Sequence, residues 1–123
     1  MQEFDRTRRV AELLKRELAV LISRELNDSR INSVTVTSVT VTKDLRQSAV
    51  YVSSTDQNVS KGQVEKLLNN ASRFLRRLVS QQVNLRITPT LLFKYDNTIQ
   101  RGIEMNALID SLNKGGSQSN EPG

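Results

Sequence analysis

The stretch SKGQVEKLLNNASRFLRRLVSQQ, Ser60–Gln82, places Val64, Leu67, Leu68, Ala71, Leu75 and Leu78 at helical spacing and reads as one long amphipathic helix. Its opposite side carries Lys66, Asn69, Asn70, Arg73 and Arg77, with Arg76 at the flank. At about 100° per residue these positions share one side of the helix. No acid interrupts them, because Glu65 lies off to one side. A merely solvated face mixes Glu with Lys and Arg, so the missing counter-charges point to an anion-binding face. The wider segment agrees. Lys61, Lys66, Arg73, Arg76, Arg77, Arg86, Lys94 and Arg101 stand against Glu65 and Asp96, a local charge of +6 in a chain whose total is +5. Positive charge gathered in one segment of a folded domain suits a polyanion.

Upstream, Val34–Thr42 is β-branched at almost every position and reads as a strand. Val34 and Val36 share one parity, Val39 and Val41 the other, so a bulge is expected near Ser38. Lys43–Arg46 makes a turn into a second strand, Ser48–Ser53, in which Tyr51 faces opposite to Val50 and Val52. So short a connection implies an antiparallel pair. Before them a helix runs from about Asp5 to Leu26, with Val10, Leu13, Leu14, Leu18, Leu21 and Ile22 as its stripe. Arg6, Arg8, Arg9, Lys15 and Arg16 crowd its first half. Downstream, Pro89 limits the start of a third strand, Thr90–Tyr95, with Leu91, Phe93 and Tyr95 on one face. Asn97 with Gln100 resembles a capping box opening a last helix, whose stripe is Met105, Leu108, Ile109 and Leu112. The expectation is an α+β fold in one domain, residues 1–113, followed by a flexible tail, residues 114–123. The order α-β-β-α-β-α, with a three-stranded mixed sheet and helices packed on one face, is that of a type II KH-like domain, a fold used mainly for RNA.

Composition narrows the function. The chain has 123 residues, 37% hydrophobic and 25% charged, enough for a modest core. It contains no Cys and no His, which removes Ser-His and Cys-His catalysis and the commonest transition-metal ligands. The carboxylates mostly alternate with bases, as in Glu12 and Arg16, and read as solvated helix faces. No cofactor, metal, small-molecule substrate, membrane span or secretion signal is expected, and the cytoplasm is the default location. The aromatics Tyr51, Phe74, Phe93 and Tyr95 read as core or half-core, so affinity for RNA is expected from its backbone rather than from base stacking.

KH domains usually clamp phosphates with a Gly-X-X-Gly loop, and none occurs here: Gly62 is isolated, and Gly102 falls in the last helix. Instead the chain resembles the ribosome-binding factor A family of bacterial small-subunit assembly factors, over roughly Phe4–Leu112. The resemblance rests on blocks in order: Arg8-Arg9-Val10-Ala11, Asp28-Ser29-Arg30, Val39–Leu45, Ala49–Val52, Ala71–Arg76, Leu85–Leu91 and Asp96-Asn97-Thr98. That family replaces the glycine loop with an Ala-X-Gly kink in one long helix. Here Ala71-Ser72 aligns with the kink, but Arg73 stands at the glycine, and Ser29 stands where the family often has Pro. Arg at positive φ carries a steric cost that Gly does not.

The resemblance implies a non-enzymatic protein that binds immature small (30S) subunits, contacts their 16S rRNA, assists late maturation and matters in cold growth. The free protein is expected to be a monomer. Lys66, Arg73, Arg76 and Arg77 are the leading phosphate ligands, and Arg8, Arg9, Lys43 and Arg86 are secondary ones. Asn69 and Asn70 are candidates to reach bases or riboses. The rival readings are a generic KH-like single-strand-binding module and an adaptor docking an acidic protein.

Overall fold

A computed structural model describes residues 3–97 of the chain. Helix α1 spans Glu3–Glu25, and a 3-10 turn, Ser29–Ile31, leads into the antiparallel strands β1, Val34–Val41, and β2, Gln47–Ser54. Helices α2, Lys61–Asn70, and α3, Ser72–Gln82, then cross to β3, Thr90–Tyr95. The sheet order is β1-β2-β3, and β3 runs parallel to β2 with Val50 opposite Phe93. Parallel neighbours need a crossover connection, and the α2–α3 pair supplies it. The architecture is the expected α+β fold with a three-stranded mixed sheet. The last helix, its Asn97–Gln100 cap and the tail at residues 114–123 lie outside the described residues.

The core explains the layering. Leu14, Leu18 and Leu21 of α1 meet Val36, Val50, Val52, Leu91 and Phe93 of the sheet, closed over by Val64, Leu68, Leu75 and Val79. The helix α1 lies over β1, α2 and α3 lie over β3, and α1 also touches α3. Helices therefore cover one face, while Thr40 and Leu92 are exposed on the other. The bulge falls where the valine parity changes. Val36 pairs with Val52 and Ser38 with Tyr51, leaving Thr37 as the extra residue. This inserted residue lets Val36 and Val39 both turn toward the core.

The long helix read over Ser60 to Gln82 breaks at Ala71, in the Ala71-Ser72 pair that the resemblance aligned with a kink, and the question that Arg73 raised about that kink is answered. The Ala71 backbone sits at φ −94°, ψ 2°, and its N–H donates to the Leu68 carbonyl three residues back at 3.0 Å. The next turn restarts when the Leu75 N–H donates to the Ala71 carbonyl at 2.9 Å. Among the described residues other than glycine, positive φ occurs at Leu45 alone, so Arg73 carries no left-handed strain. The bend thus needs no glycine at residue 73. Ser60 starts α2 with a reciprocal cap: its hydroxyl accepts from Gln63 N–H at 3.1 Å, and the Gln63 side chain accepts from Ser60 N–H at 3.0 Å.

Candidate functional site

Leu75 and Val79 fix the rotation of α3 by burying themselves in the core. The outer side must then carry Arg73, Arg77 and Ser80, which with Arg76 form one wall of an open hollow. The other wall is the loop before β3, at Arg86, Ile87 and Thr88. Arg76 ties the walls together. Its Nε and Nη2 donate to the Thr88 carbonyl at 2.9 and 2.7 Å. Pro89, fully buried, anchors the loop from the next position. Part of the Arg76 guanidinium is therefore spent on the protein itself, while Arg73, Arg77 and Arg86 have no ion-pair partner among the described residues.

A second hollow adjoins the first and shares Arg86 and Ile87 with it. It brings in Arg6 and Arg9 from α1 and Lys43 from the β1–β2 turn, with Asp44 as the one acid among its lining residues. The turn is closely held. The Leu45 N–H donates to the Thr42 carbonyl at 2.9 Å, and Leu45 takes φ 62° with its side chain packed against the core. The Thr42 hydroxyl donates to Asp44 Oδ1 at 2.7 Å, and the Arg46 N–H reaches the same oxygen at 3.1 Å. These two donors hold the Asp44 carboxyl below its ordinary range, the hydroxyl contributing most. The carboxylate is thereby directed to the turn that presents Lys43.

The fold brings together Arg73, Arg76, Arg77, Arg86, Arg9 and Lys43 of the expected ligands. Lys66 and Asn70 are exposed on α2 but line neither hollow, and Arg8 is exposed on α1 with an interaction of its own. Asn69 is corrected outright. Its Nδ2 donates to the Phe93 carbonyl at 2.9 Å, and the Phe93 N–H donates to its Oδ1 at 2.8 Å. Glu65 accepts from the Tyr95 N–H at 2.7 Å. Both side chains satisfy the outer edge of β3, which would otherwise present bare backbone groups. Phe74, expected in the core or half-core, lies at the exposed end of that range: the residue is 36% exposed and its ring is beside Arg77. Arg6, Ser80, Asn84 and Thr88 are lining residues that the spacing argument passed over. For Arg6 a signal existed, since it precedes Arg9 by three residues on one helix. No group of three or more Asp or Glu able to hold a metal ion forms among the described residues.

The family model described as ribosome-binding factor A matches residues 6–109. A ribosome-binding factor A from Nitrosococcus oceani is 48% identical over 109 residues, covering 89% of this chain and 86% of that relative. Its counterpart from Chromohalobacter salexigens is 43% identical over 112 residues, covering 89% and 86%. The crystal structure of ribosome-binding factor A from Thermus thermophilus superposes with a TM-score of 0.63 at 30% identity, over 71% of this chain and 92% of that one. A homology model of the Thermus protein, fitted into a cryo-EM map of its 30S complex, gives a TM-score of 0.60 at 31% identity, over 70% and 90%. With a family model matched over residues 6–109, relatives of up to 48% identity over 89% of the chain, and a shared fold over 71% of it, the chain belongs to the ribosome-binding factor A family.

Proposed function

We propose that this protein binds the small ribosomal subunit through the two joined hollows, contacting ribosomal RNA without a chemical step of its own. One observation carries the site: cations from α1, the β1–β2 turn, α3 and the loop before β3 meet on one surface. Their sequence separation means that folding, not local composition, assembles them. The 30S complex of the Thermus relative supports the choice of partner.

Arginine suits the task. Its planar fork offers paired donors to phosphate oxygens, and it stays charged at any physiological pH. Arg73, Arg77 and Arg86 are the primary phosphate ligands, Arg76 holds the wall that positions Arg86, and Arg6, Arg9 and Lys43 extend the track. Lys66, Asn70 and Arg8 are outlying contacts. A rigid array of this kind binds one arrangement of immature rRNA better than another and shifts the population toward it, by at most the difference in affinity. The free protein acts as a monomer in the cytoplasm, with its folded domain ending near residue 113 and a dispensable tail beyond.

The test is a titration of the purified protein onto isolated small subunits at several salt concentrations. Contacts with four to six phosphates predict a log-log slope of roughly −3 to −4. A nearly flat response contradicts the electrostatic interface.

A further inference from the structure

We infer that Phe74 is a stacking platform for one unpaired RNA base whose backbone phosphates lie in the adjoining arginine hollow. The inference rests on the RNA reading of that hollow and adds what kind of RNA it accepts.

Among the aromatics whose side chains the structure describes, Phe93 and Tyr95 are committed elsewhere and Tyr51 is partly covered. Phe93 is 1% exposed in the core. The Tyr95 hydroxyl donates to the Ser54 carbonyl at 3.2 Å and accepts from the Ser54 N–H at 3.0 Å, while the Lys61 ammonium lies 5.3 Å from its ring centroid. Tyr51 is half-buried in β2. Phe74 differs. With Val20 and Leu92 it is one of three exposed large hydrophobics among the described residues, and of these it alone is aromatic and beside arginines.

Its position on α3 gives the exposure a use. At about 100° per residue, Arg76, Arg73, Arg77 and Phe74 follow one another around the outer side of the helix. Arg77 lines the hollow, and its guanidinium carbon also lies 5.6 Å from the Phe74 ring centroid. One side chain thus joins the arginine-lined hollow to a flat apolar ring. A separation of 5.6 Å is near the outer limit for a cation–π contact, so the guanidinium turns to a phosphate at little cost while a base takes its place on the ring. Every base has a π face, which makes such a platform tolerant of sequence. A paired base inside a duplex has both faces covered by its neighbours. The ligand is therefore a nucleotide in a loop, bulge or single-stranded end.

The test compares a short single-stranded oligoribonucleotide with a duplex of equal length, at low salt. Phe74→Leu keeps apolar bulk on α3 but removes the aromatic face. It is expected to weaken single-strand binding by roughly five- to 150-fold, to leave duplex binding unchanged and to melt with the parent. The natural chain contains no Trp. Phe74→Trp therefore introduces the sole indole fluorophore, expected to be quenched by the single strand and not by the duplex. Unchanged single-strand affinity in Phe74→Leu, or binding to Phe74→Trp without quenching, overturns the platform while the arginine hollow stands. If the parent binds neither RNA at low salt, the hollow falls as an RNA site and the platform falls with it.

Discussion

Asn69 shows how a single residue on a polar helix face is claimed by its surroundings. The helical period places it beside Asn70 and Arg73, yet it exchanges a donor and an acceptor with the Phe93 backbone at 2.9 and 2.8 Å. Phe93 stands opposite Val50 in the sheet, but its N–H and carbonyl turn to the outer edge of β3, where no strand follows, and meet Asn69 instead. Asn69→Ala leaves both without the amide in a part-buried setting, and a loss of about 1–3 kcal/mol is expected. Urea denaturation checks it: the midpoint drops while the slope m holds. An unchanged midpoint means water replaces the amide freely. Period alone gave the angle of Asn69 around the helix, not what the neighbouring element offers at that angle. The same blindness hid the inward use of Glu65 against Tyr95 N–H and of Arg76 against the Thr88 carbonyl. Phe74 errs in the other direction: read as core or half-core, it is more open than that, because Leu75 and Val79 already fill the buried side of α3.

The elements themselves were more legible, and the exceptions have physical reasons. The Thr37 bulge was readable because β-side chains alternate strictly, so a valine parity change has one simple cause. The antiparallel turn followed from its length. The break at Ala71 was not readable from periodicity, because Ala favours helix and the apolar stripe runs through it without a phase change; only the resemblance, which aligned Ala71-Ser72 with a kink, pointed to it. Breaking there, rather than at Arg73, keeps Arg73 helical and in line with Arg77 on α3. The orientation of this short helix depends on its buried side. Leu75 is fully buried, so Leu75→Ala is expected to cost about 2–5 kcal/mol through a cavity and to lower the melting temperature by several degrees. A variant that melts with the parent would mean that α3 is held by something other than its apolar stripe.

At the scale of the whole molecule, the basic surface is a product of topology. The charge count along Lys61–Arg101 identified the α3 wall and Arg86 but could not join them to Arg9 and Lys43, which arrive from the first helix and the first hairpin. It also credited Lys66, which the fold leaves outside both hollows. The assembled surface is the central claim, and Arg73 and Arg77 are two neighbouring members of it that, unlike Arg76, do not hold another element in place. The most direct measurement is co-sedimentation of the Arg73→Glu/Arg77→Glu variant with isolated small subunits, alongside its melting curve. Each residue offers charge-assisted bonds worth about 1.5–3 kcal/mol, so losing both weakens binding by roughly a hundredfold or more. The expected result is a variant that melts with the parent and stays at the top of the gradient at a salt concentration where the parent moves with the subunits. A variant that melts with the parent and still travels with the subunits as the parent does would contradict the arginine hollow as the binding surface.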